Sequence, residues 1–244
     1  MSAINFKAME ENPATEGLRE IGMLLRGESD RIQAWIRQLS ARRNWQYVAI
    51  IIVGTGLYGA AMGCWRDAQQ ALYTAIKFPL IILLTTLGNG LLNGMLAPLL
   101  GLNLGFRQSL QAVLTSFTSA AVILGSFSPL LFFLVWNAPP ISANKAGVYP
   151  LIQLTNVAAI AFAGVTANLR LAKLLEQLAG SAVVGRRVLV AWLAGNFLLG
   201  SQLTWILRPF IGSPDLPVEF FRANAMRGNF FETVLGAIRN LLWQ

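Results

Sequence analysis

The side chains that could do chemistry in this chain are amides and hydroxyls. Asn89 and Asn93 stand one helical turn apart in a run, residues 76–101, that carries no charge after Lys77. Thr85 and Thr86 precede them, and Gln111, Thr115, Gln153, Asn156, Asn196 and Gln202 fall in other apolar runs. Such groups donate and accept hydrogen bonds, and each costs free energy if left unpaired in hydrocarbon. Three readings are open for them: hydrogen bonds between helices, a polar cavity or narrow pore, and contacts to lipid or pigment.

The usual catalytic groups are missing. The chain has no histidine, which removes His-ligated haem, chlorophyll, zinc and non-haem iron. A Ser–Lys pair is formally possible, but Lys77 and Lys145 stand at the edges of apolar runs, beside no nucleophile motif. No acidic residue falls inside an apolar run, and proton-coupled pumps and carriers typically use intramembrane carboxylates. The single cysteine, Cys64, cannot form an internal disulfide and says little about redox compartment. There is no Walker-type glycine loop and no paired-Cys metal motif; Gly54-Thr55-Gly56 lies in an apolar run and reads as helix packing. The expectation is a protein that is not an enzyme, with no catalytic, cofactor-binding or metal-binding residue and no cofactor.

Composition says where these groups must work. Of 244 residues, 55% are hydrophobic and 12% charged, against about 25% charged in ordinary soluble domains, and mean hydropathy is +0.55. The net charge of +8 would suggest nucleic acid if the basic residues shared a soluble face. They flank the apolar runs instead, so no nucleic-acid partner is expected. The first 44 residues are polar and helical in pattern, unlike a cleavable signal peptide.

The elements that must position the amides are five apolar segments, each long enough to cross a hydrocarbon core of roughly 20 residues. They cover about residues 45–65, 76–101, 108–136, 147–169 and 188–207. The first has Trp at both ends, as interface anchoring predicts. Gly59 and Gly63 form one GxxxG, and Gly90 and Gly94 form another beside the Asn pair. Small residues let backbones approach closely in lipid, so 76–101 reads as the central packing post, with Gly90 and Gly94 toward the first segment, where Gly59 and Gly63 are a natural partner, or toward another close neighbour. Residues 66–76 read as a short amphipathic connection flat at the interface, with Lys77 snorkelling outward. Residues 170–187 read as a basic amphipathic connection. Gly125-Ser126-Phe127-Ser128-Pro129 lies inside the third segment, a combination that kinks or breaks helices. One kinked span is expected there, with a re-entrant or two-piece span as the rival.

The expected organisation is a polar amphipathic tail at 1–44, a transmembrane bundle at 45–210 and an amphipathic interfacial tail at 211–244: an all-α polytopic bundle. The first tail has seven basic and six acidic residues, a helix start at Asn12-Pro13 and an interruption at Gly27-Glu28-Ser29. It reads as a helix pair on the bilayer or on its own bundle, or as a docking element for a partner through Trp35 and Ile36. In the last tail Phe230, Phe231, Leu235, Ile238 and Trp243 mark an amphipathic helix that would lie in the headgroup plane or contact a subunit. Arg42, Arg43, Arg107, Arg170, Lys173, Arg186 and Arg187 flank the spans on the side of the N-terminus, against Arg66, Lys77, Lys145 and Arg208 on the other. The positive-inside rule then puts the N-terminus in the cytoplasm and the C-terminus outside, in a bacterial inner membrane.

Five closely spaced spans after a polar tail, with a short amphipathic connection before a Lys77-Phe78-Pro79 entry, resemble the Yip1 domain family of polytopic membrane proteins over about residues 45–210. The acidic-Leu-Gly-Pro signature of the eukaryotic members is absent. The resemblance implies a scaffolding or partner-recruiting membrane protein and supplies no catalytic residues. The sequence thus leads to a non-enzymatic scaffold or accessory subunit of a larger membrane complex, in contact with lipids and with other subunits or copies of itself. A small-solute channel or transporter lined by the amides is the alternative.

Overall fold

In the computed structural model of the chain, residues 13–38, 40–139, 148–212, 216–232, 235 and 239 are described. They form α1 (Pro13–Arg26), α2 (Ser29–Arg37), α3 (Ala41–Gly63), α4 (Ala68–Leu99), α5 (Phe106–Trp136), α6 (Val148–Ala179) and α7 (Ala182–Leu207). A further helical turn opens at Phe230. No strand occurs among the described residues. Five of the helices, α3 to α7, are long and apolar enough to cross a membrane. The chain is an all-α polytopic bundle.

Local chemistry sets the helix ends. The Ser40 hydroxyl accepts from the Arg43 amide (3.4 Å) at the start of α3, and the Asp67 carboxylate accepts from the Gln69 amide (2.6 Å) at the start of α4, each satisfying a donor the first turn leaves free. Gly101 (φ +90°) and Gly180 (φ +61°) follow α4 and α6 in the left-handed conformation that ends helices. The chain between α6 and α7 is only Gly180 and Ser181, so successive spans run antiparallel.

α4, α5, α6 and α7 pack in a closed ring, each on the next and α7 back on α4, while α3 lies in the groove between α4 and α5. One apolar core joins Leu24, Ile32 and Ile36 of the N-terminal helix pair to Tyr47, Ile51, Leu171, Leu174, Leu175 and Trp192. A second gathers Tyr58, Met62, Leu124, Leu131, Val135 and Ala163 nearer the opposite end. The outer faces expose large apolar side chains such as Leu91, Met95, Phe133, Leu154, Phe162, Val190 and Phe197. A surface of that kind is suited to lipid rather than water.

The two connections and the placement of Lys77 are corrected. Residues 66–76 are not a flat interfacial connection: α4 begins at Ala68 and these residues are its first turns. At 32 residues α4 is about 48 Å long, leaving roughly 18 Å of helix outside a 30 Å hydrocarbon core. Lys77 does not snorkel outward; it is fully buried. Residues 170–187 are not a separate connection either, because α6 continues to Ala179 and α7 starts at Ala182. Leu171, Leu174 and Leu175, the apolar side of that stretch, pack into the core against the N-terminal helix pair. The third segment is the single span expected, not the re-entrant or two-piece rival: α5 runs unbroken through Gly125 to Pro129. A Cβ at Gly125 would lie 3.0 Å from the Gly54 Cα, so that glycine marks the crossing with α3 rather than a break.

Candidate functional site

The interior is organised by one face of α4. Gln70, Thr74, Lys77, Ile81, Thr85, Asn89 and Asn93 recur at steps of three and four, which keeps them on one slowly drifting stripe. All seven are buried. Near its start the stripe holds the C-terminal segment. The Gln70 side-chain amide donates to the carbonyls of Pro209 (3.2 Å) and Phe210 (2.8 Å). The Thr74 hydroxyl donates to Phe210 (2.6 Å). The Lys77 ammonium donates to Pro209 (3.1 Å) and Glu219 (3.4 Å), 4.9 Å from the centre of the Phe220 ring. Five bonds reach residues more than 130 positions away, so this segment is fastened to the bundle by a helix face.

Further along, the stripe meets α7. The Asn89 amide donates to the Asn196 side-chain oxygen (2.5 Å) and the Trp192 carbonyl (3.4 Å). Asn93 is equally buried, yet neither its oxygen nor its nitrogen has a hydrogen-bond partner. On the other side of the bundle the Tyr58 hydroxyl donates to the Asn156 oxygen (2.9 Å), and Asn156 donates to Ile152 of its own helix (2.8 Å). The hydroxyls of Thr55, Thr86, Thr115, Thr118 and Ser119 donate to carbonyls four residues back. Most of the interior polarity is therefore spent within the bundle.

The two glycine pairs serve different neighbours. A Cβ on Gly59 would lie 2.5 Å from the Thr74 carbonyl oxygen, and one on Gly63 would lie 2.6 Å from that of Gln70. Both press on the first turns of α4. Gly90 lies against Leu110, and a Cβ on Gly94 would lie 2.6 Å from the Phe106 ring, both on α5. Of the two neighbours expected for Gly90 and Gly94, the structure has the second, α5 in place of the first segment, so α4 makes two separate close approaches, one near each end. Pro79 removes the in-helix donor of the Ala75 carbonyl, and that oxygen faces Gly56, 3.4 Å from its Cβ position.

The remaining sites lie at the two ends. Ile36 is fully buried in the chain's own core. Trp35 is half-buried; its carbonyl accepts from Gln111 (3.4 Å), and the Arg43 guanidinium lies 4.8 Å from its ring centre. Arg43 also pairs with Glu20 (3.2 Å), tying α1 to α3. At the opposite end Phe230 and Phe231 stack edge-on against Phe197 of α7, at 6.4 and 5.7 Å, and the Phe230 amide donates to Gln202 (3.4 Å). Leu235 is exposed. Ile238 and Trp243 lie outside the described residues.

A cavity of about 990 Å³ opens between the helices of the ring, at the upper end of ligand-pocket volumes. α4 contributes Phe78, Ile81 and Thr85; α6 contributes residues from Tyr149 to Asn168; α7 contributes Asn196, Gly200 and Thr204; Arg208, Phe210 and Arg222 line the end nearest the C-terminal segment. In the sequence Arg208 stood out only as a charge flanking a span and Arg222 not at all, because only the return of the C-terminal segment over the bundle brings Arg222 to Arg208. No group of His, Cys, Asp and Glu that could hold a metal occurs among the described residues. Comparison with protein-family models, with curated proteins and with solved structures finds no match.

Proposed function

We propose that the chain is a non-enzymatic integral membrane protein that acts through contacts, as a scaffold or accessory subunit of a larger membrane assembly. One observation carries this reading: the buried amides and hydroxyls of α3 to α7 are largely bonded to each other or to backbone, as in Asn89–Asn196 and Tyr58–Asn156. A rigid frame of that kind suits recruitment better than turnover. The resemblance to Yip1 domain proteins is part of the same proposal, as is a bacterial inner membrane with the N-terminus in the cytoplasm. The aromatic pair Phe230–Phe231 and the exposed Leu235 mark the face offered to another subunit or a second copy.

Purification in mild detergent tests it. The expected result is a stoichiometric complex that Phe230→Ala/Phe231→Ala weakens while the bundle stays folded. A chain that always runs as a lone monomer sinks the reading. The cavity supports a second reading, a small-solute pathway. Liposome flux tests that one, with Asn89→Leu and Asn93→Leu as controls, and flux no greater than that of empty liposomes rejects it.

A further inference from the structure

The geometry points to the cavity between α4, α6 and α7 as a binding site for an anionic phospholipid, one acyl chain lying in the cavity and the phosphate resting on Arg208 and Arg222. The inference stands whether or not the chain recruits a protein partner. Three independent features of the site support it.

The first is shape and access. From Asn196 to Arg208 the cavity follows about 18 Å of α7, a length suited to an extended acyl chain. α6 and α7 are tight at their hairpin, where a Cβ on Gly185 would lie 2.7 Å from the Glu176 Cα. Toward the opposite end the cavity occupies the space between them. Leu154, Val157 and Ile160 line it and are themselves exposed, so it communicates sideways with the hydrocarbon region that holds lipid tails.

The second is charge. Arg208 and Arg222 both line the end of the cavity beside the C-terminal segment. Burial, and then the charge of Arg222, push the Arg208 guanidinium down from its usual value, which places the two cations in each other's field. Arg208 donates to the Trp205 carbonyl and stacks on the Trp205 ring, 3.6 Å from its centre. Among the described residues no carboxylate pairs with Arg208 or Arg222. Two like charges at the mouth of an apolar cavity repel until an anion joins them, and guanidinium forks match phosphate oxygens. A zwitterionic lipid carries its own cation and gains less.

The third is an orphaned hydroxyl inside. Thr85 is 3% exposed, its Oγ1 has no hydrogen-bond partner, and it lies in the cavity wall, 3.9 Å from the Cβ position of Gly200. It leaves a donor in the cavity wall that a bound molecule carrying an acceptor would satisfy and a pure hydrocarbon would not.

Native mass spectrometry of the full chain in mild detergent tests the site. Phosphatidylglycerol and phosphatidylcholine with identical acyl chains are titrated separately, with glycerol phosphate as the headgroup alone. Retention of phosphatidylglycerol should exceed that of phosphatidylcholine by about tenfold, the scale of one charged hydrogen bond. Glycerol phosphate should neither be retained nor compete. Arg222→Gln should bring phosphatidylglycerol down to the phosphatidylcholine level, and Gly200→Leu, which fills the cavity, should lower both. The Arg222 side chain makes no hydrogen bond or ion pair with a described residue, its backbone carbonyl alone accepting from the Ala225 amide (2.9 Å), so its variant keeps the test open if Arg208→Gln fails to fold. Equal retention of the two lipids, a preference unchanged by Arg222→Gln, or full competition by glycerol phosphate each overturns the proposal.

Discussion

Gly59→Ala and Gly164→Ala are the same change in two helix interiors, and the packing gives them opposite signs. Alanine is the better helix former by about 1 kcal/mol, so sequence alone predicts a gain at both. At Gly164 nothing lies within 4 Å of the new Cβ, and the gain of about 0.5–1 kcal/mol is realised. At Gly59 the new methyl meets the Thr74 carbonyl oxygen at 2.5 Å, the Thr74 carbonyl carbon at 3.0 Å and the Phe78 Cβ at 3.1 Å. Ordinary contact begins at 3.4 Å, so α3 and α4 must part by about 0.9 Å. The obstacle is backbone, and Thr74 is itself tied to Phe210, so no side chain can swing aside. Overpacking costs about 1–3 kcal/mol, and a backbone obstacle at 2.5 Å puts this site in the upper half of that range, about 2–3 kcal/mol, above the propensity gain. The expected net loss is about 1–2 kcal/mol, a fall in Tm of roughly 2–8 °C for a chain of this size, against a rise of about 1–4 °C for Gly164→Ala. Thermal unfolding of both variants in one detergent is the assay. A Gly59→Ala protein as stable as the parent, or a Gly164→Ala protein destabilised to the same degree, would refute the close approach of α3 to α4.

Other positions give equally separable outcomes. Asn89→Leu removes the bond to Asn196 and should cost about 0.6–1.7 kcal/mol, the range of interhelical hydrogen bonds in membranes, with a positive coupling to Asn196→Leu in a double-mutant cycle. Asn93→Leu should be neutral or stabilising by up to about 1 kcal/mol, because it removes a buried amide that has no partner. Tyr58→Phe should cost about 1 kcal/mol in thermal unfolding, since Asn156 loses its one donor from α3. Lys77→Met unties the C-terminal segment from α4 and should speed proteolysis within residues 216–229 several-fold, with the spans themselves remaining protected.

The five crossings were legible because uncharged runs of that length have few alternatives, and the centrality of 76–101 because buried amides need neighbours. Asn89 and Asn93 are both fully buried, as a packing post requires. What misled was local amphipathicity. Residues 66–76 and 170–187 carry charges beside apolar faces, which reads as an amphipathic connection when their partners are unknown. For Gln70, Thr74 and Lys77 the partners are carbonyls at 209, 210 and 219, a pairing no local pattern contains. One signal was present in the sequence: Gln70, Thr74 and Lys77 continue the stripe of Thr85 and Asn89 backward at helical spacing. The glycine motifs announced close approach without naming the neighbour, since GxxxG specifies a small face and nothing opposite it. The cavity end, with Arg208 and Arg222, depends on where the C-terminal segment returns and leaves no mark in the pattern.

The claim on which the account rests is a five-span bundle whose N-terminal helix pair and C-terminal segment lie on opposite sides of the membrane. Single-cysteine labelling tests it directly. In a Cys64→Ser background, Arg31→Cys and Met226→Cys place one reporter at each end, both at exposed positions. A membrane-impermeant maleimide should label Met226→Cys in intact cells and Arg31→Cys only after permeabilisation. Labelling of both positions from the same side would contradict the five crossings, and labelling of Arg31→Cys alone in intact cells would contradict the orientation.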